Sequence, residues 1–496
     1  MSQTSITASM LYSLVTCPHR VTMDLFEDLA KRDEPNPFIE LLWERGSAIE
    51  QQTIAALEIP FVNLRSPTTE ERAQRTRAAM AENAPLIYGG RIAADDLVGE
   101  PDLLRKEGTG YVPGDIKSGA GEEGGDDDEN GKPKKTYAVQ LALYVDILER
   151  LGVSAGRRGF IWDVHGIEVT YDLTQERGVR NPETLWDFYA LQLATARGIA
   201  ACTTTTLPAY ASGPCKLCHW YSTCLATMKA ADDLTLIPEL GRTARDAMIA
   251  EIPTVTDLAG INPEAFIVRK KTKFDRVGPD RLRKFQGRAK LLRSPNPRPY
   301  LKEPIRVPAH NLELFFDIEV DPMRDLCYLH GFIERKGGDN STEKFVAFFT
   351  PDITPEAEEQ AFANAWKYIR RSQPCAIYYY SKYERTIYRK LQIKYPSVCS
   401  ADDIERLFEP TDTVDPYSDV VRSKTEWPTI DYSIKTLAKY LGFNWRDAHP
   451  SGAASIQWFD QWVKTGSTET KQRILDYNED DCRATRVLLD GIRELR

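Results

Sequence analysis

Three side chains have the types and spacing of metal-assisted phosphate chemistry. Gly99-Glu100-Pro101-Asp102 ends on an acid, and Asp115-Ile116-Lys117 lies on the next expected strand. Alternate residues of a strand share a face, so Asp115 and Lys117 point into one site, where Asp102 completes a carboxylate pair. Two or three hard oxygens suit Mg²⁺ or Mn²⁺ and leave positions for water and phosphate. Such an ion polarises a scissile phosphate and lowers the pKa of its bound water. Lys117 supplies positive charge for the attacking hydroxide or for charge developing on phosphorus. Gln140 and Tyr144 follow at i and i+4 on an expected helix, placed to hold substrate or orient Lys117. Upstream, Gly46 and Glu50 share a longer expected helix, and Glu50 is a further oxygen ligand.

A second acidic set lies in the C-terminal half. Asp317-Ile318-Glu319 puts two acids on one face of an apolar strand, and Tyr477 and Asp481 share a helix face. Between them Glu384 follows a strand and enters a helix; Asp415 is a lesser candidate for the same place. Acids grouped in this way suit two metal ions, one activating water and one stabilising the leaving oxygen.

Cys215, Cys218 and Cys224 form a C-x2-C-x5-C pattern, which needs a fourth ligand. Cys17, in Thr16-Cys17-Pro18-His19, is the best candidate, and its inclusion would tie the start of a domain to its end. On chemistry alone zinc and iron–sulfur are comparable, with His219 able to substitute in a zinc site. Cys202, Cys327, Cys375, Cys399 and Cys482 are read as buried free thiols.

The elements that must position these residues follow from periodicity. Helices are expected at 6–16, 38–57, from Ser66-Pro67 with Ser66 as cap, and at 137–150 and 182–200. Strands are expected at 86–88 and 92–97, with hairpins at 102–117 and 157–173. Residues 118–135, with the acidic run Asp126-Asp127-Asp128-Glu129, read as an exposed or disordered loop. Residues 234–266 loosely suggest a helix-hairpin-helix, and five prolines between 295 and 308 mark a linker. Three strands and then alternating strand and helix follow, an α/β pattern with a mixed sheet.

At 496 residues the chain is long enough for two to four domains. Its formal net charge is −9, yet Arg269–Arg306 holds 14 Lys/Arg against 3 Asp/Glu, leaving the rest near −20. That segment is either a contact for phosphate backbone or a solvated linker. Nine scattered cysteines, no charged start before an apolar run and no membrane-length apolar stretch lead to the expectation of a cytoplasmic protein with no membrane partner.

Residues 1–228 resemble the RecB-type branch of the PD-(D/E)XK nucleases. The resemblance is closest to members with an iron–sulfur cluster, such as CRISPR-associated RecB-like exonucleases and the AddB nuclease domain. It rests on Ser9, Cys17-Pro18, Gly46/Glu50, Gly99/Asp102, Asp115/Lys117, Gln140/Tyr144 and Cys215/Cys218/Cys224; Glu50 stands where many relatives have His. It implies metal-dependent DNA cleavage and a 4Fe-4S cluster on the four cysteines with a structural role. Residues 313–496 resemble the YprB-like branch of the DEDD 3′–5′ exonucleases of the ribonuclease H-like superfamily. Asp317, Glu319 and Asp481 match its acids, Tyr477 its water-orienting tyrosine, and Glu384 stands where the third acid is usually Asp.

The expected organisation is α/β multidomain: a PD-(D/E)XK core with a 4Fe-4S cluster over 1–230, a helix-hairpin-helix-like basic connector over 231–308 and a ribonuclease H-like DEDD domain over 309–496. The whole order resembles bacterial RecB-like nucleases. It implies an Mg²⁺- or Mn²⁺-dependent exonuclease on DNA, single-stranded or end-containing, in repair, recombination or defence. Competing expectations are one live site with the other domain as a clamp, an RNA substrate, or a DNA-binding scaffold for a helicase partner. The chain has no phosphate loop of its own for unwinding.

Overall fold

Strand residues of the first half alternate between two cores, and that alternation sets where their acids point. The computed structural model describes residues 4–34, 37–66, 68–124, 131–178 and 182–495. The chain divides into two units, Met1–Pro208 with Gly213–Leu225, and Ala209–Ser212 with Ala226–Arg496.

In the first unit α1 (Ala8–Thr16) and α2 (Pro18–Phe26) meet at Cys17, where Pro18 occupies a first-turn position that needs no N–H donor. Then come α3 (Pro37–Ala55), β1 (Val62–Asn63), α4 (Thr69–Ala81), β2 (Leu86–Tyr88), β3 (Leu103–Glu107), β4 (Gly110–Ile116), α5 (Lys135–Arg150), β5 (Arg158–Trp162), β6 (Glu168–Asp172) and α6 (Leu185–Ala200). The sheet runs β6-β5-β4-β3-β2-β1. Its β3/β4 and β5/β6 pairs are the expected hairpins, whereas β4/β5 and β1/β2 are parallel. Leu86, Tyr88, Leu103, Val112, Ile116 and Phe160 pack with Ile54 of α3. Ile87, Leu104, Tyr111 and Ile161 pack on the other face with α5, which is buried from Ala138 to Leu148 except at Gln140. Asp115 has the parity of Tyr111, so it faces α5.

Two local expectations are corrected. The cap of α4 is Thr68, not Ser66: Glu71 accepts from the Thr68 N–H and hydroxyl, so a capping box sets the start. Cys202 is exposed rather than buried, because it turns the chain after α6 with φ of 57°. The other four cysteines expected as buried thiols are buried. In the expected loop, Glu122–Glu123 and Lys132–Pro133 pair as a short hairpin, while Asp126–Glu129 and Pro67 lie outside the described residues.

The second unit begins with α7 (Gly241–Met248), α8 (Val255–Gly260), a hairpin of β7 (Ile267–Val268) and β8 (Lys271–Thr272), and α9 (Pro279–Arg293). These share a core that includes Leu240, Met248, Leu258, Phe274 and Phe285. The proline-rich segment is not wholly a linker: Tyr300–Leu301 pairs antiparallel with Thr425–Glu426. Buried Arg288 and partly exposed Lys302 both bond Glu426, at 2.7 and 3.0 Å, which neutralises the carboxylate where that pairing forms.

Beyond it lie β9 (Leu312–Asp321), β10 (Leu326–Lys336), β11 (Asp339–Phe349), α10 (Pro355–Ser372), β12 (Ala376–Tyr378), α11 (Tyr383–Lys394), β13 (Thr413–Val414), α12 (Ile434–Tyr440), α13 (Gly452–Thr465) and α14 (Thr468–Arg493). The sheet order is β11-β10-β9-β12-β13, antiparallel in its first three strands and parallel beyond, a mixed sheet. Leu314, Phe316 and Ile318 pack with α10 and α11, while Phe315 packs on the α14 side. Asp317 and Glu319 share the parity of Phe315 and so face α14. No helix among the described residues is long and apolar enough to cross a membrane.

Candidate active sites and cysteine cluster

In the first unit Asp102 directly precedes β3 and Lys117 directly follows β4, so the hairpin brings both to one end of the sheet. The two acids brace each other's backbone: the Ile116 N–H donates to Asp102 Oδ2 at 2.9 Å, and the Asp102 N–H to Asp115 Oδ1 at 3.3 Å. Lys117 Nζ donates to Asp115 Oδ2 at 2.8 Å. Burial, then the Asp115 charge, push Asp102 up to about 7 against the pull of Lys117. Burial alone would lower Lys117; Asp115 and Asp102 hold it above the usual lysine range.

Tyr144 is buried beside Gly99, where a Cβ would fall 2.6 Å from its ring, so Gly99 permits the approach. Burial and the charges of Asp115 and Asp102 raise the Tyr144 phenol well above its ordinary value. The Gln140 carboxamide oxygen is buried without a hydrogen-bond partner among the described residues. Asp102, Asp115, Lys117 and Tyr144 are thus brought together.

Arg65 was not expected there. Its guanidinium bridges Glu50 and Asp102, with Nε 2.9 Å from Glu50 and Nη2 2.9 Å from Asp102, and lies over the Tyr88 ring. Nothing in its sequence neighbourhood marks it; only the β1–β2 pairing carries it to the site. Glu50 and Asp102 share Arg65 while Asp115 holds Lys117, so a divalent ion on these acids would compete with Arg65 for the same negative charge. Arg65→Gln is expected to lower the Mn²⁺ concentration that half-saturates the first unit roughly tenfold, the equivalent of about 1.5 kcal/mol for one charge-assisted bond. Calorimetric Mn²⁺ titration of the Asp317→Asn background reads this; an unchanged midpoint would remove Arg65 from the site.

In the second unit Asp317, Glu319 and Asp481 place one oxygen each within 4.8 Å of one another, a group suited to a metal ion. The sheet is irregular between Glu319 and Val320, where a bulge re-aims the strand next to the acids. Asn478 Nδ2 donates to Asp317 Oδ2 at 2.7 Å. Gly331, opposite Asp317 on β10, makes room for it: a Cβ there would fall 1.6 Å from Asn478 Oδ1. Trp445 Nε1 donates to Asp481 at 2.7 Å. Lys435 Nζ donates to the Tyr477 hydroxyl at 2.9 Å and lies 3.5 Å from Asp481.

Asn478, Lys435 and Trp445 were not assigned from sequence. Asn478 is one helical turn from Asp481, a spacing that could have flagged it.

Glu384 lies outside the group of three whose oxygens share that spacing. It begins α11 rather than standing on β9 or α14, yet its charge is near enough to help raise Asp317. Its Oε2 is buried without a partner among the described residues. Asp415 is engaged locally, accepting from the N–H groups of Ser381 and Tyr417, both at 2.9 Å.

Burial and mutual repulsion raise Asp317 well above the carboxylate range and push Glu319 up to about 8. A carboxyl raised on folding contributes stability that is full below its unfolded value near 4.5 and lost as pH rises through about 8. Bound Mg²⁺ offsets the same repulsion. The melting temperature gained on adding Mg²⁺ is therefore expected to be larger at pH 8 than at pH 5.5. The difference cancels the opposite contribution of buried His330, which burial lowers to about 3. An equal gain at both pH values would contradict a shared ion on these acids.

The four cysteines Cys17, Cys215, Cys218 and Cys224 are all partly buried. Burial and the nearness of Cys218, Cys17 and Cys215 push the Cys224 thiol up to about 12; burial also raises Cys218, with Cys17 beside it. Residues flanking the triplet are pinned to α2: Asp24 Oδ1 accepts from Trp220 Nε1 at 2.9 Å and meets His219 Nε2 at 2.8 Å. His219 is thereby engaged by Asp24. Cys218 and Cys224 thus lie near other members of the set, while no metal cluster on the four cysteines is evident among the described residues.

Residues 18–225 match the model of the PD-(D/E)XK nuclease superfamily, and residues 314–492 match that of the RNase_H superfamily. No curated protein matches the chain. The chain is an α/β multidomain protein with a PD-(D/E)XK nuclease core and an RNase H-like domain with a mixed sheet.

Proposed function

We propose that this chain is a metal-dependent exonuclease acting on DNA ends, single-stranded by preference, through two separate sites. The observation that carries the reading is the convergence of Asp317, Glu319 and Asp481 on one side of a sheet inside a matched nuclease superfamily domain. Asp317, Glu319 and Asp481 hold Mg²⁺ or Mn²⁺, with Glu384 behind Asp317. A bound ion polarises the phosphate and acidifies water. Tyr477, its hydroxyl oxygen fixed by the Lys435 ammonium, orients that water with its own proton. In the first unit Asp102, Asp115 and Glu50 are the ion's ligands, Lys117 faces developing negative charge, and Gln140 and Tyr144 position substrate.

The cysteines Cys17, Cys215, Cys218 and Cys224 hold a 4Fe-4S cluster that staples the first unit; their mutual proximity and the engagement of His219 elsewhere support it. The setting is DNA repair, recombination or defence in the cytoplasm, with a helicase as the fitting partner. A second reading, in which the first unit serves as a clamp and only the second cleaves, is favoured by Arg65 lying on Glu50 and Asp102. Anaerobically purified protein, given Mg²⁺ or Mn²⁺ and single strands blocked at one end, separates these readings. Digestion from both free ends supports two live sites, digestion from the 3′ end alone supports the clamp, and none refutes the nuclease reading.

A further inference from the structure

The basic segment resolves into committed and uncommitted cations. Arg283 pairs with Glu264, Lys284 and Arg288 with Glu239, and Arg293 with Asp232, so most of α9 is neutralised internally. Lys273 at the base of the β7–β8 hairpin is taken by Glu251. At the hairpin tip the pattern reverses. Arg269, Lys270 and Lys271 are all exposed, and among the described residues none has an ion-pair partner; the acids near them, Glu251 and Glu264, are already engaged. Beside them Val268, 71% exposed, pairs across the strands with Lys271.

The tip stands on a fixed base. Phe266 and Phe274 stack with centroids 5.4 Å apart, and the Thr272 hydroxyl bonds the carbonyls of Phe274 and Val277. Arg269 itself has φ of 58°, the left-handed region that a non-glycine residue adopts at a cost. Glycine or asparagine would fill that turn at lower energy, so the conformation holds a cation at a strained position.

We propose that this hairpin is a nucleic-acid contact outside both nuclease sites, its three cations on successive phosphates of the strand and Val268 against sugar or base. It rests on the reading of the chain as a nucleic-acid enzyme and adds where the strand is held. Three exposed charges without an ion-pair partner among the described residues keep most of their field, which a phosphodiester backbone complements and an acidic peptide would match without regular spacing. Contacts of this kind release counterions, so they are read from salt dependence rather than from affinity alone.

The test compares full-length protein with an Arg269→Gly/Lys270→Ser/Lys271→Thr variant, in EDTA. Fluorescence anisotropy measures binding of a labelled 30-nucleotide single strand and the matching duplex from 50 to 250 mM salt. Arg269→Gly relieves the turn and Thr suits the strand, so the variant is expected to fold, as circular dichroism and an unchanged melting temperature would show. The slope of log K against log salt should become shallower by about 2 on the single strand, at about 0.7 per phosphate lost. Equal slopes for the two proteins, or no binding by the wild type, overturn the proposal. Cleavage with Mn²⁺ is scored separately. A slope difference without cleavage keeps the hairpin contact and refutes the nuclease reading; cleavage with equal slopes does the reverse.

Discussion

Asp317→Asn is expected to abolish digestion from the 3′ end, by about 10³-fold or more, while making the metal-free second unit more stable. The catalytic loss follows from the charge count. Asp317, Glu319 and Asp481 present their oxygens within 4.8 Å of one another, and removing one anion from such a group takes away a ligand and the field that holds the ion. A 10³-fold loss corresponds to about 4 kcal/mol of transition-state stabilisation, the scale of metal-ion catalysis. The stability gain follows from the same geometry. Asp317 is buried with its acidic neighbours, so its charge is unfavourable without metal. Asparagine keeps an oxygen for Asn478 Nδ2, now at 2.7 Å, and removes the repulsion. About 1 kcal/mol is expected, or 2–4 °C in EDTA. Opposite signs for activity and stability mark a functional charge rather than a packing residue. Asp102→Ala, assayed beside it on strands blocked at one end, should leave 3′ digestion intact. Wild-type 3′ digestion by Asp317→Asn would dismiss the second site as assigned.

Cys17→Ser is expected to strip iron from the protein and to melt the first unit early, with 3′ digestion by the second unit preserved. Cys17 sits at the junction of α1 and α2, nearly two hundred residues from the triplet that the proposed cluster would join it to. A metal centre across that distance closes a loop spanning almost the whole unit, and its binding energy is folding energy. Loss of one ligand is expected to cost on the order of several kcal/mol, roughly 10 °C for a unit of this size. Iron and sulfide analysis, a calorimetric scan and the blocked-strand assay read the three consequences. Zinc at one equivalent with no iron would replace the cluster assignment while keeping the staple. Unaltered metal content in Cys17→Ser would dismiss Cys17 as the fourth ligand.

Much of the framework was legible because it is local. Short continuous apolar runs at Leu86-Ile87-Tyr88 and Leu314-Phe315-Phe316 foretold buried strands, and strand parity foretold that Asp317 and Glu319 share a face. Element ends were less legible: α4 starts at the Thr68 capping box rather than at Ser66, because Glu71 rather than the proline decides it. The five-proline segment looked like a linker because proline leaves few backbone donors, yet Tyr300 and Leu301 found a strand partner more than a hundred residues away.

By itself the sequence determined which residues carry charge, which faces they occupy and which helices and strands bear them, since i, i+2 and i, i+4 relations need no distant partner. Only the tertiary structure decided what surrounds them. Arg65 reaches Glu50 and Asp102 through strand pairing, Asn478 reaches Asp317 through the space left at Gly331, and Lys435 and Trp445 reach Tyr477 and Asp481 from outside α14. The basic segment was divided in the same way, into cations neutralised by acids remote in sequence and others left exposed, three of them together on one hairpin. In each case the deciding energy is a charge or hydrogen bond in a desolvated setting, whose strength depends on which distant groups packing brings within about 3 Å.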